Sequence, residues 1–69
     1  MPPTYSGRQI VSALTRLGFE HVHTRGSHAK MRKHRRTVTV PLHKAVAHGT
    51  FRSVCRQAGV TREELVDAM

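Results

Sequence analysis

Apolar residues fall first at Ile10, Ala13, Leu14 and Leu17, the spacing of one buried helix face. Ser6 and Gln9 stand just ahead with the spacing of a capping box, and Gly18 follows as a stop. The period then shortens to two. Phe19, Val22 and Thr24 favour a strand over residues 19–24, but Phe19 and Val22 have opposite parity, so a bulge or a late strand start is expected. Arg25-Gly26 turns the chain. From Ser27 to Arg32 the residues alternate as a second strand, with Ser27, Ala29 and Met31 on one side and His28, Lys30 and Arg32 on the other. Lys33-His34-Arg35 reads as a tight polar connection. Arg36 to Val40 follows, with Val38 and Val40 opposite in facing to Thr37 and Thr39, and Pro41 ends the ladder for want of an N–H. These three segments make an antiparallel meander.

Residues 42–49 form a loop carrying His43, Lys44 and His48 and ending at Gly49. Thr50 is the expected N-cap of a helix whose apolar face is Phe51, Val54, Cys55 and Ala58, with Arg52 and Arg56 on another face and Gly59 as its stop. Thr61 to Glu64 repeats the capping-box spacing and opens a short last helix with Leu65, Val66 and Met69 as its apolar residues. The order is α-β-β-β-α(-α). It implies an α+β fold with helices on one face of a small sheet and the other face open. Residues 1–69 are one domain, with 1–5 a lead-in and 60–69 the terminal helix. A chain of 69 residues buries only about 60% of its unfolded surface, too little to enclose a cofactor-sized cavity beside a core. The site must lie on the surface or be completed by a partner.

Charge narrows the choice of partner. Twelve Lys and Arg against four acids give a net charge of +8, and no acid lies between Glu20 and Glu63. Such a field favours polyanions, nucleic acid above all. Cys55 is alone, which excludes an intrachain disulfide and zinc-finger spacing, and its helical position suits a buried thiol. No signal-like or membrane-spanning apolar run is present, so the cytoplasm is the expected location. Six histidines raise the question of a metal. His21 and His23 would share a strand face, with His43 or His48 as a third ligand, yet no acid or cysteine completes a set and the cations around them oppose a divalent ion. No metal or other cofactor is expected.

The row His28, Lys30, Arg32 has the chemistry a phosphodiester needs. Unperturbed histidine titrates near pH 6.5, so it can give or take a proton at neutral pH. RNA carries its own nucleophile in the 2′-hydroxyl. A base removes its proton, the oxygen attacks phosphorus, and a 2′,3′-cyclic phosphate and a free 5′-hydroxyl result. His28 is the candidate acid/base, with the base role favoured, and Lys30 the candidate for neutralising the phosphorane. Arg25, Arg32, Lys33, Arg35, Arg36 and Lys44 are candidate backbone contacts, which position RNA without reading its sequence. His43, just past Pro41, is a candidate to assist His28. With one Tyr and two Phe, both at packing positions, no aromatic platform for base stacking exists.

Five pieces in order carry a resemblance. Ser6-Gly7-Arg8, Leu17-Gly18-Phe19, Arg25-Gly26-Ser27-His28, Val38-Thr39-Val40-Pro41 with His43, and Gly49-Thr50-Phe51-Arg52-Ser53 through Gln57-Ala58-Gly59 are similar to the HicA family, the small mRNA-interferase toxins of bacterial toxin–antitoxin pairs. The likeness runs from about Ser6 to Leu65. It implies a fold like a double-stranded-RNA-binding domain, endoribonuclease activity dependent on the histidine of Gly-Ser-His, and neutralisation by a HicB-type antitoxin. Carried over, the catalytic histidine is His28, with Gly26 and Ser27 as its supporting turn. Where relatives commonly have an Asp-Gly turn, this chain has Lys33-His34-Arg35. The rival readings are a non-catalytic basic RNA- or DNA-binding module and a basic face that docks an acidic protein. Cleavage in chelator with a His28→Ala control separates them.

Overall fold

The computed structural model describes residues 3–69, so the first two residues of the lead-in lie outside the described range. The elements are α1 (Gly7–Arg16), β1 (Glu20–Arg25), β2 (His28–Lys33), β3 (Arg36–Pro41), α2 (His48–Ala58) and α3 (Arg62–Asp67). The strands pair antiparallel in the order β1-β2-β3, giving the α+β meander with the topology of a double-stranded-RNA-binding domain. Ala29 stands opposite Val40 and Met31 opposite Val38, and all four are buried. Ile10 and Leu14 of α1, Val54 of α2 and Leu65 of α3 close over that face. Each such buried side chain contributes about 1.5–3 kcal/mol.

The two capping boxes form as spaced. Ser6 N–H donates to Gln9 Oε1 at 2.9 Å and Gln9 N–H to Ser6 Oγ at 3.1 Å. Thr61 and Glu64 reproduce the exchange at 2.9 and 3.0 Å. The parity conflict in the first strand is resolved in both expected ways. Phe19 stays ahead of β1 in the core, and a bulge at Val22 separates the partners of His21 and His23.

Boundaries differ from the sequence expectation at four places, and at the first of them Arg25 belongs to β1 and not to the turn. Ser27 belongs to the turn and not to β2, because Arg25 pairs directly with His28 and leaves two residues to reverse the chain. Gly26 takes φ 60° there, the conformation a two-residue hairpin demands of its first central residue. Lys33 closes β2, so the second turn is His34-Arg35, and His34 accepts φ 55° without being glycine. Pro41 is a strand residue. It shares parity with Thr39, whose N–H points away from β2, so its missing N–H costs no ladder bond.

The fourth difference is α2, which begins at His48 behind Ala47 with no side-chain cap, leaving Thr50 inside its first turn. Tertiary contacts set that start. Tyr5 and Val46 form an isolated bridge in which Val46 N–H donates to Tyr5 O at 2.8 Å, and the Tyr5 ring lies 5.5 Å from that of Phe51. Tyr5 is therefore a clamp on the loop before α2.

Each helix has its C-terminal carbonyls met by a cation. Lys33 Nζ donates to Leu17 O at 2.8 Å behind α1, Arg36 Nη1 to Gln57 O at 3.4 Å in α2, and Arg16 Nη1 to Ala68 O at 3.1 Å behind α3. These carbonyls carry the negative end of the helix dipole and have no partner within the helix. The two sheet edges are unequal. On β3, Thr39 N–H donates to Gln57 Oε1 of α2 at 3.0 Å, whereas all six residues of β1 are exposed and, among the described residues, its outer side pairs with no strand.

Candidate active site

Alternation and register together place the charged row. Residues directly opposite in an antiparallel pair share a face. Because Ala29 and Met31 point into the core, His28, Lys30 and Arg32 point to the face that no helix covers, and all three are exposed. Arg25 stands across from His28, His23 and Thr39 flank Lys30, and Glu20 and Thr37 flank Arg32. The result is an open basic strip, with one acid at its Arg32 end.

Two of the candidate phosphate contacts, Lys33 and Arg36, lie away from that strip. Lys33 has the parity of Met31, and its ammonium is committed to Leu17 O and lies 5.9 Å from the Phe19 ring centroid. Arg36, opposite Lys33, reaches Gln57 on the helix side. Both cations stand on the face away from His28, among the residues lining a depression of about 560 Å³ with Leu17, Phe19, Ala58 and Val60 as its apolar lining. Arg35 sits at the second hairpin turn, and Lys44 is exposed in the loop beside His43. The expected His21–His23 pair is also undone. The bulge sets His21 opposite Met31 and His23 opposite Lys30, on different faces, and His21 Nε2 instead bonds Thr24 Oγ1 at 2.7 Å. Among the described residues no three histidine, cysteine or acidic side chains come together as a ligand set.

His43 does come to His28. The ring centroids are 6.4 Å apart with the planes inclined at 66°. This proximity depends on residues that periodicity did not single out. Gly7 N–H donates to His43 O at 2.9 Å. A Cβ on Gly7 would collide with Pro41 O and lie 2.6 Å from Leu42 Cα, so only glycine lets α1 start against this loop. A signal existed in the sequence. Glycine is a poor helix former, and its presence directly after a well-formed N-cap calls for a packing reason.

Cys55 is buried as expected, and burial raises its thiol pKa above the ordinary 9.0 despite the opposing charge of Arg62. Among the described residues no helix is long and apolar enough to cross a membrane. A family model describing the HicA toxin of bacterial toxin–antitoxin systems matches residues 7–60. Comparison with curated proteins finds no match.

Proposed function

The chain belongs to the HicA toxin family of bacterial toxin–antitoxin systems, and from that premise we propose that it is an endoribonuclease that cleaves mRNA without a metal ion, using His28 to move protons at the ribose and scissile phosphate. The observation that carries the reading is the exposed strand row of His28, Lys30 and Arg32, with Arg25 across from the imidazole. His28 removes the 2′ proton, the freed oxygen attacks phosphorus, and Lys30 neutralises charge on the pentacoordinate phosphorane. Gly26 and Ser27 form the turn that starts the catalytic strand, so the imidazole comes from the stiff end of a hairpin. Arg25, Arg32, Arg35 and Lys44 contact the phosphate backbone. Lys33 and Arg36 are left to the fold. The partner that silences the chain is a HicB-type antitoxin, whose acidic surface the basic strip would attract.

The test is cleavage of RNA in excess EDTA, with analysis of product ends. Wild-type protein should give 2′,3′-cyclic phosphate and 5′-hydroxyl ends, and His28→Ala should bind RNA within a few fold while losing cleavage. Full activity in His28→Ala, or a strict magnesium requirement, rejects the mechanism. Binding without cleavage in the wild type would make the chain a non-catalytic RNA-binding module.

A further inference from the structure

We infer that His43 is a second catalytic group, the general acid that protonates the departing 5′-oxygen, while His28 acts as the general base. The inference rests on the ribonuclease reading above and adds to it a second residue and a division of labour.

The geometry suits two proton-transfer groups around one phosphorus. Ring centroids 6.4 Å apart are too far for a direct hydrogen bond between the imidazoles but close enough for both to reach one phosphate lying over the pair. The entering and leaving oxygens of an in-line displacement lie on opposite sides of phosphorus, and each must come within about 3 Å of its own catalytic nitrogen. One ring cannot reach both at once without moving. Two rings on separate elements can, one from the sheet and one from the loop after β3. The proton account closes. His28 takes the 2′ proton, the O2′–P bond forms, the P–O5′ bond breaks, and His43 gives its proton to O5′. One imidazolium has been exchanged for the other, and solvent restores the pair.

The roles follow from the surroundings. His28 stands inside the cationic strip, between Arg25 across the ladder and Lys30 along it, where negative charge develops on the attacking oxygen and the phosphorane. His43 stands off the sheet on the loop after β3, exposed and outside the strand row that carries the cations. Its backbone is fixed with unusual care for an exposed residue. Gly7 N–H holds its carbonyl, Gly7 packs on Pro41 and Leu42 just before it, and Tyr5 pairs with Val46 just after it. Gly7 is thus a positioning residue acting through His43.

A leaving group that needs no proton isolates this role. The probe is a DNA oligonucleotide with a single ribonucleotide, which confines attack to one phosphate, prepared with either oxygen or bridging sulfur at the 5′ leaving position. Single-turnover cleavage is measured in excess EDTA. His43→Ala should slow the oxygen substrate by about a hundredfold or more, the usual worth of a general acid, and the sulfur substrate by less than tenfold. Gly7→Ala should show the same selective rescue by sulfur, at smaller amplitude. His28→Ala should slow both substrates alike. Equal losses of His43→Ala on the two substrates, or no loss on oxygen, overturn the inference while leaving the His28 reading standing. Sulfur rescue of His28→Ala and not of His43→Ala overturns the roles assigned here. Unimpaired cleavage by His28→Ala removes both readings together.

Discussion

Two helical glycines should respond in opposite directions to the same substitution. Gly7 opens α1 and Gly49 lies in the first turn of α2. Replacing a helical glycine with alanine ordinarily stabilises by up to about 1 kcal/mol, through helix propensity and a less flexible unfolded chain. At Gly49 nothing lies within 4 Å of the added Cβ, so Gly49→Ala should gain about 0.5 kcal/mol. At Gly7 the Cβ meets main chain and not the end of a flexible side chain. It strikes Pro41 O and falls 2.6 Å from Leu42 Cα and 2.9 Å from Pro41 C. Overpacking of this kind costs about 1–3 kcal/mol, and rigid neighbours put it at the upper end. Separating α1 from the loop also breaks the 2.9 Å bond from Gly7 N–H to His43 O, worth about 1 kcal/mol. The steric and hydrogen-bond losses exceed the propensity gain, leaving a net loss of about 2–3 kcal/mol. A domain of this length has only about 3–10 kcal/mol in total, so the effect is large. Urea titration followed by far-UV circular dichroism should show the Gly7→Ala midpoint well below wild type and the Gly49→Ala midpoint slightly above it, with unchanged slopes. A Gly7→Ala midpoint equal to or above wild type would refute the packing argument.

Lys30→Ala should slow single-turnover cleavage by roughly tenfold to a hundredfold while RNA affinity stays within a few fold, because its charge matters most in the transition state. Equal losses in both would reduce it to an ordinary backbone contact. Lys33→Met keeps the stem against Phe19 but removes the bond to Leu17 O, so stability should fall by about 1 kcal/mol. The salt dependence of RNA binding should not change, and a slope reduced by about one would return Lys33 to the RNA interface. Burial holds the Cys55 thiol pKa above 9.0, so its contribution is complete below that pH and is lost as pH rises through the folded value; Cys55→Ala should flatten the alkaline decline in stability. A HicB-type antitoxin bound to the basic strip should compete with a non-cleavable RNA and lose affinity on Arg32→Glu. Simultaneous binding of both would place it elsewhere.

What the sequence disclosed was chemistry within a few residues. The caps of α1 and α3 depend on side chains three positions from their targets, so Ser6, Gln9, Thr61 and Glu64 could be read directly. Parity was equally local. It exposed the conflict between Phe19 and Val22 and aligned His28, Lys30 and Arg32 on one face. Turn geometry was harder, because alternation continues through Ser27 and Lys33 without marking where pairing starts and stops. The start of α2 could not be read locally, since Ala47 has no capping side chain and the position is set by Tyr5 holding Val46. The same distance limit hid the assembly around His43. Its residue type marked it as a candidate, but its placement beside His28 depends on Gly7, separated from it by the whole sheet in sequence. The facing of Lys33 and Arg36 was hidden for a related reason. A run of cations does not announce which members will turn back onto helix carbonyls.

The inequality of the two sheet edges sets a valence for self-assembly. Continuous stacking of sheets by strand pairing needs two available edges on every copy, one to receive and one to extend. Here α2 lies along β3 and takes the outward N–H of Thr39, while β1 is bare. With the Thr39 N–H taken, β1 is the more available edge, and two copies joined through it would close as a two-fold pair. Even that pairing meets the bulge at Val22 and the positive charge of Arg25 on each copy. Loss of the Gln57 side chain would bare the Thr39 N–H and open the β3 edge further, so aggregation on heating or concentration should depend on this one glutamine.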